Sequence, residues 1–119
     1  MSIRVKRAYE APAQDDGARY LVDRLWPRGV KKDALHIESW MKDVAPSDEL
    51  REWFSHDPAK WDEFRKRYFE ELAGLEEAWR PLLTAARRGR ITLVFGAKDT
   101  EHNQAVALKE FLDRRIKSK

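Results

Sequence analysis

The chain contains no cysteine. That excludes disulfide staples, a thiolate nucleophile and cysteine-based zinc sites, and it accords with a reducing compartment. Long hydrophobic runs are missing too. No stretch approaches the roughly 20 apolar residues of a membrane span. The opening residues, Met1-Ser2-Ile3-Arg4-Val5-Lys6, lack the apolar run of a signal peptide. The expectation is a soluble cytoplasmic protein with no membrane partner. An excess of one charge is also lacking. The 24 basic residues nearly match 21 acidic ones, leaving a formal net charge of +3, which permits nucleic-acid binding without arguing for it. There are no internal repeats, low-complexity segments or linkers. No serine lies in a Gly-x-Ser-x-Gly elbow, so a serine hydrolase has no support.

What is present fits one domain, residues 1–119. Five Trp, five Phe and three Tyr supply bulky core material. Ile3 to Tyr9 alternates apolar and basic positions, a half-buried strand in which Ile3, Val5 and Tyr9 share a face and Arg7 is the exception. The turn-rich connection that follows, Glu10 to Ala18, is short for a parallel crossover. The first two strands are therefore antiparallel or non-adjacent. Arg19 to Leu25 forms the second strand, which Pro27 and Gly29 end. Lys31 to Met41 fits a short extended segment and a helical turn equally well.

Later segments are clearer. Ser47 caps a helix carrying Leu50, Trp53 and Phe54. Asp57, with Pro58 after it, starts a second with the stripe Trp61, Phe64, Tyr68 and Leu72. A third holds Leu75, Trp79, Leu82, Leu83 and Ala86, is kinked or broken by Pro81, and ends at Gly89. Ile91 to Phe95 has the continuous apolar character of a central strand covered on both faces. A last helix, capped by Thr100 or Asp99, carries Ala105, Leu108, Phe111 and Leu112 and ends in a basic tail of Arg114, Arg115, Lys117 and Lys119. The expected fold is α/β: a small, mostly parallel sheet with packed helices.

The stretch from Tyr20 to Gly29 passes from an apolar run into charge, an indole, a proline and a glycine. In open α/β sheets ligands sit beyond the carboxyl ends of strands. Asp23, Arg24 and Arg28 fall at one such end, and Lys98, Asp99, His102 and Asn103 at another. Brought together, these groups suit an anion: arginines offer flat, bidentate donors for carboxylate or phosphate, and a helix start adds free N–H groups. Arg24 and Arg28 would bind the anion, with Lys98 and Asn103 as further contacts. His102 is the candidate acid or base, and Asp99, three residues before it, orients the ring. Asp23 orients an arginine or a proton carrier. In the plain structural alternative, Asp23 and Arg24 pair with neighbours and Asp99 or Thr100 only caps the helix.

Other readings are weaker. Asp23, Asp99 and His102 match no compact metal motif, and the nearby cations would repel a metal ion. His56 and His36 are weaker acid–base candidates; His56 fits a turn before the Asp57 cap. Trp53, Phe54, Trp61, Phe64 and Tyr68, set among Arg51, Arg65, Lys66 and Arg67, could stack bases, but their helical spacing marks them as core. No recognition helix is evident. A non-catalytic nucleic-acid- or protein-binding module using the basic helix faces and tail remains the alternative to an anion pocket.

Val22-Asp23-Arg24-Leu25-Trp26-Pro27-Arg28-Gly29 is very similar to the signature of the domain of unknown function 488 family in its short YeaO-like form. Further matches follow in order: Ala45-Pro46-Ser47 with Leu50-Arg51-x-Trp53-Phe54, then His56-Asp57-Pro58, then Asp99-x-x-His102-Asn103 with Ala105. The resemblance covers nearly the whole chain. It implies a compact α/β domain and supports Asp23, Arg24, Arg28, Asp99, His102 and Asn103 as a motif. It names no substrate, cofactor or reaction. Longer relatives carry cysteines near the last strand exit, where this chain has Gly96-Ala97-Lys98, so thiol chemistry does not transfer.

Overall fold

A computed structural model describes residues 3–117. Lys119, assigned above to the basic tail, lies outside them, as do Met1 and Ser2. Four strands, β1 (Ile3–Arg7), β2 (Ala18–Leu21), β3 (Ser39–Trp40) and β4 (Ile91–Phe95), form one sheet in the order β1-β4-β2-β3. Every pairing is parallel. β4 sits inside because it is apolar on both faces, and all five of its residues are buried.

The helices are α1 (Lys32–Leu35), α2 (Asp48–Phe54), α3 (Trp61–Ala73), α4 (Glu76–Arg88) and α5 (Gln104–Lys117). The longer helices cover one face. There Ile3, Leu93 and Phe95 of the sheet meet Phe64, Tyr68, Leu72, Leu82, Leu108 and Phe111. The other face has no long helix. Leu21, Val94 and Ala8 pack beneath Leu35, with Trp26, Val30, Ile37 and Trp40 around them, so the chain between β2 and β3 forms the second layer. The result is one α/β domain.

β1 and β2 prove non-adjacent and parallel, with β4 between them. Their connection crosses the sheet without an α-helix, holding only a single 3-10 turn at Gln14–Asp16. Ala8 N–H donates to Phe95 O at one end, and Ala18 N–H donates to Arg90 O at the other. In between, the Thr92 hydroxyl donates to Asp16 O. About ten residues are ample for that span. Tyr9 does not share the face of Ile3 and Val5. It lies past the strand, about half exposed, and its hydroxyl donates to Arg28 O at 2.9 Å.

β2 ends at Leu21, short of the expected Leu25. Side chains take over the ladder at that point. The Asp23 carboxylate accepts the Gly96 N–H at 2.8 Å, and the Trp40 indole donates to Asp23 O at 2.7 Å. Lys31 to Met41 contains both expected forms, the turn of α1 and then β3. The second helix begins as a tight turn, Pro58–Lys60, whose Ala59 N–H is accepted by Asp57, and runs on into α3. α4 runs unbroken through Pro81, so of the expected kink or break the break does not occur. Pro81 is exposed, so the carbonyl that loses its partner faces water, and buried Trp79, Leu82, Leu83 and Ala86 hold both halves on the core. The cap of α5 is Asn103 rather than Thr100 or Asp99: its Oδ1 accepts the Val106 N–H at 3.0 Å.

Candidate crevice at the β2 and β4 exits

Neighbouring β2 and β4 send their exits to opposite sides. The loop after β2 turns onto the face covered by Trp26 and Leu35, whereas the loop after β4 leads to α5 on the helical face. A crevice opens where such connections diverge. Here it encloses about 470 Å³, within the range of small-molecule sites.

Asp23 lies in its wall with Gly96, Ala97 and Gln104. Its carboxylate accepts from Gly96 N–H and from the Gln104 side-chain amide. Gly96 eases this approach, because a Cβ there would stand 3.0 Å from Asp23 Oδ2, tighter than an ordinary contact. Burial raises the Asp23 pKa to about 6, against the opposing pull of the two hydrogen bonds and of His56.

Three arginines border the same space. Arg24 donates to Pro46 O at 3.3 Å, and its Nε lies 3.5 Å from Asp48. That Nε is buried and makes no hydrogen bond among the described residues, so its approach to Asp48 is a charge contact only. Arg51 also pairs with Asp48, at 3.1 Å. Arg28 is exposed at the rim and has no acidic partner among the described residues. The apolar walls include Trp26, Pro46, Phe54 and Phe64. Trp26 is held by its indole donating to Val30 O and by an edge contact with Trp40.

His56 reaches the crevice through an unusual backbone. Both Ser55 (φ 47°) and His56 (φ 57°) are left-handed, a conformation costly for residues other than glycine. The kink separates α2 from α3 and places His56 beside Phe54, with ring centroids 6.3 Å apart.

The structure thus gathers Asp23, Arg24 and Arg28, and it adds His56, Arg51 and Gln104. The other four sequence candidates lie outside the lining. Lys98 is exposed. Asp99 accepts the N–H groups of Glu101 and His102, and its other oxygen lies 3.0 Å from His102 Nδ1. Its pKa is lowered, first by the Glu101 N–H and then by His102. The His102 ring packs edge-on against Trp61 at 5.3 Å. Asn103 is buried with both amide ends used, donating to Asp99 O and accepting from Val106. The Asp99–His102–Asn103 motif therefore builds the turn into α5. The sequence offered His56 only as a weaker acid–base candidate and as part of the His56-Asp57-Pro58 match, and nothing in its spacing tied it to Asp23. Gln104 sits one residue past the quoted motif. Among the described residues no three His, Cys, Asp or Glu come together as metal ligands, and no helix is long and apolar enough to cross a membrane.

An all-parallel four-stranded sheet with packed helices defines the class: a single α/β domain. Within that class, the chain belongs to the DUF488 family, matching over residues 2–119 the model described as the inactive DUF488-N3 subclade. It is 42% identical over 112 residues to the uncharacterised protein YeaO of Escherichia coli, covering 94% of this chain and 97% of that one. It is 44% identical over 116 residues to the uncharacterised proteins Rv3073c of Mycobacterium tuberculosis and Mb3100c of Mycobacterium bovis, covering 95% of each chain. No solved structure matches.

Proposed function

We propose that the crevice binds a small anionic ligand carrying phosphate or carboxylate, with Arg24 and Arg28 as its principal donors. One observation carries this reading: Arg28 stands unpaired at the rim of a cavity that Arg24, Arg51 and His56 also border. Among the described residues Asp48 is the only acid paired with those arginines, and Arg24 and Arg51 share it. An anion entering there meets the Arg28 guanidinium without first displacing an internal carboxylate.

The reading is one of binding rather than turnover. The lining holds no serine, threonine or cysteine that could act as a nucleophile, and the description of the subclade as inactive supports the same view. Lys98, Asp99, His102 and Asn103 hold no ligand in this proposal. The basic helix faces favour no second reading. Arg65 pairs with Glu110, Arg67 with Glu63, Arg80 with Glu76 and Arg114 with Glu110, while Arg115 lies over Phe111.

Thermal shift with inorganic phosphate and pyrophosphate tests the proposal, since a ligand of the native state raises the melting point by mass action. The wild type should show a saturable rise that Arg28→Ala reduces at least tenfold in apparent affinity. No rise at millimolar anion, or an equal rise in Arg24→Ala and Arg28→Ala, would remove the proposal.

A further inference from the structure

The charges around the crevice leave an excess that depends on one residue. Arg24, Arg28 and Arg51 border the space, and Asp48 answers one of those charges. The other carboxylate is Asp23, which lies in the lining itself. Among the described residues no ion pair joins it to the three arginines. Its oxygens are held by neutral donors instead, the Gly96 N–H and the Gln104 amide of α5. An ionised Asp23 therefore acts on an occupant of the crevice through space. The other groups around it are Arg24 and Arg28 on its own loop, Arg51 on α2 and His56 in the turn after α2. Tyr68 of α3 donates its buried hydroxyl to Val44 O, and burial keeps that hydroxyl protonated. Arg7 of β1 donates to the carbonyls of Gly96 and Ala97, and β3 offers the neutral Trp40 indole. Counting the arginines and the two carboxylates alone, one positive charge is unanswered when Asp23 is ionised and two when it is protonated.

Resting on the anion reading above, we propose that Asp23 sets the charge of the ligand: the crevice takes a singly charged anion as it stands, and a doubly charged one only together with a proton on Asp23. Repulsion by a carboxylate doubles from a monoanion to a dianion at equal distance. Salt screens a group set into a cavity wall less than an exposed one. The proton is within reach, because burial already brings the Asp23 pKa to about 6, and an adjacent dianion raises it further. Taking it up costs no hydrogen bond. One oxygen keeps the Gly96 N–H, and Gln104 turns its amide to accept from the new O–H. Asp23 is then a specificity-determining residue rather than a contact to the anion.

Isothermal titration of the full chain with sulfate, a dianion, and methanesulfonate, a monoanion, tests this at pH 5 and pH 7.5, a range in which neither probe titrates. Sulfate affinity should fall about tenfold or more between the two pH values, and methanesulfonate affinity only about threefold. Sulfate binding at pH 6.5 should take up protons, read from its heat in two buffers of different ionisation enthalpy. Asp23→Asn should bind sulfate at pH 7.5 about tenfold more tightly than the wild type. His56 also gains charge on acidification, so His56→Gln separates the two groups and should keep the pH dependence. Wild-type affinities independent of pH for both anions would overturn the inference while leaving the anion reading intact. A pH dependence that survives in Asp23→Asn, or disappears in His56→Gln, would overturn it as well. Absence of binding by sulfate, methanesulfonate and inorganic phosphate at pH 5 would remove both. If Asp23→Asn fails to fold, the wild type and His56→Gln decide.

Discussion

Asp23 ties stability to pH in a direction opposite to most carboxylates. Its folded pKa, about 6, lies above the ordinary value of 3.8. The folded state then holds a proton that the unfolded chain has released. The contribution is fully present below pH 4 and is lost as pH rises through 6. Asp23→Asn removes this dependence. Its Oδ1 can keep the Gly96 N–H while Gln104 turns its amide to accept. The variant should match the wild type near pH 4 and exceed it by about 1–3 kcal/mol at pH 7.5 in urea unfolding. An equal difference at both pH values would contradict the assignment. His56 offers a complementary test. Glycine adopts its left-handed backbone without strain, so His56→Gly should gain about 0.5–1 kcal/mol of stability. The same change removes an imidazole from the crevice and should weaken phosphate binding. A variant that lost stability would show that the ring holds the turn in place.

At the scale of the element, the start of α5 shows why a motif can be structural. Asp99 closes a turn on Glu101 and His102, and Asn103 closes the helix on Val106. Two short polar side chains satisfy N–H groups at the helix start that the backbone leaves without partners. Asn103→Ala should cost about 1–2 kcal/mol, a fall of several degrees in melting temperature for a chain of this size, with phosphate affinity changed less than twofold once the protein is folded. A tenfold loss of affinity at unchanged stability would return Asn103 to the ligand site. The first strand pair carries a second lesson. The ten-residue connection holds only a 3-10 turn and no α-helix, and the sequence left antiparallel and non-adjacent arrangements open. What selected the second was β4: its apolar run on both faces demands the inner position between β1 and β2.

For the molecule as a whole, the sheet face without long helices depends on a buried charge cluster. Asp16 is fully buried and meets Arg19 at 2.7 Å, Lys6 at 3.2 Å and Arg4 at 3.3 Å. Arg19 in turn donates twice to Leu35 O, joining the β1–β2 connection to the layer over β2. Burial alone would raise the Asp16 pKa. The Ala13 N–H, Arg19 and Lys6 outweigh it and bring the value to about 2. That contribution is complete above pH 4 and is lost as pH falls toward 2. Asp16→Ala should cost about 3–5 kcal/mol at pH 7 by leaving Arg19 buried without its partner. Its deficit against the wild type should shrink below pH 4. A deficit of under 1 kcal/mol at neutral pH would contradict a structural role.

Composition and local pattern by themselves determined much of this protein. Cysteine chemistry was excluded outright, the helix stripes were legible from period and β4 from its near-continuous apolar run, and the anion-suited arginines stood together in one short run. These properties depend on neighbours along the chain, where spacing is geometry. Only the tertiary structure decided which distant groups share the crevice. Asp23 finds Gly96 and Gln104 because β2 lies against β4, and His56 enters through two left-handed residues that no pattern announced. Conversely, Asp99 and Asn103 follow the β4 exit in the sequence, yet their side chains are bonded within the turn into α5, Asp99 to Glu101 and His102 and Asn103 to Asp99 and Val106. Which polar group is left with bonds to give is fixed by the whole packed molecule, since each donor is claimed by whatever acceptor folding brings within reach.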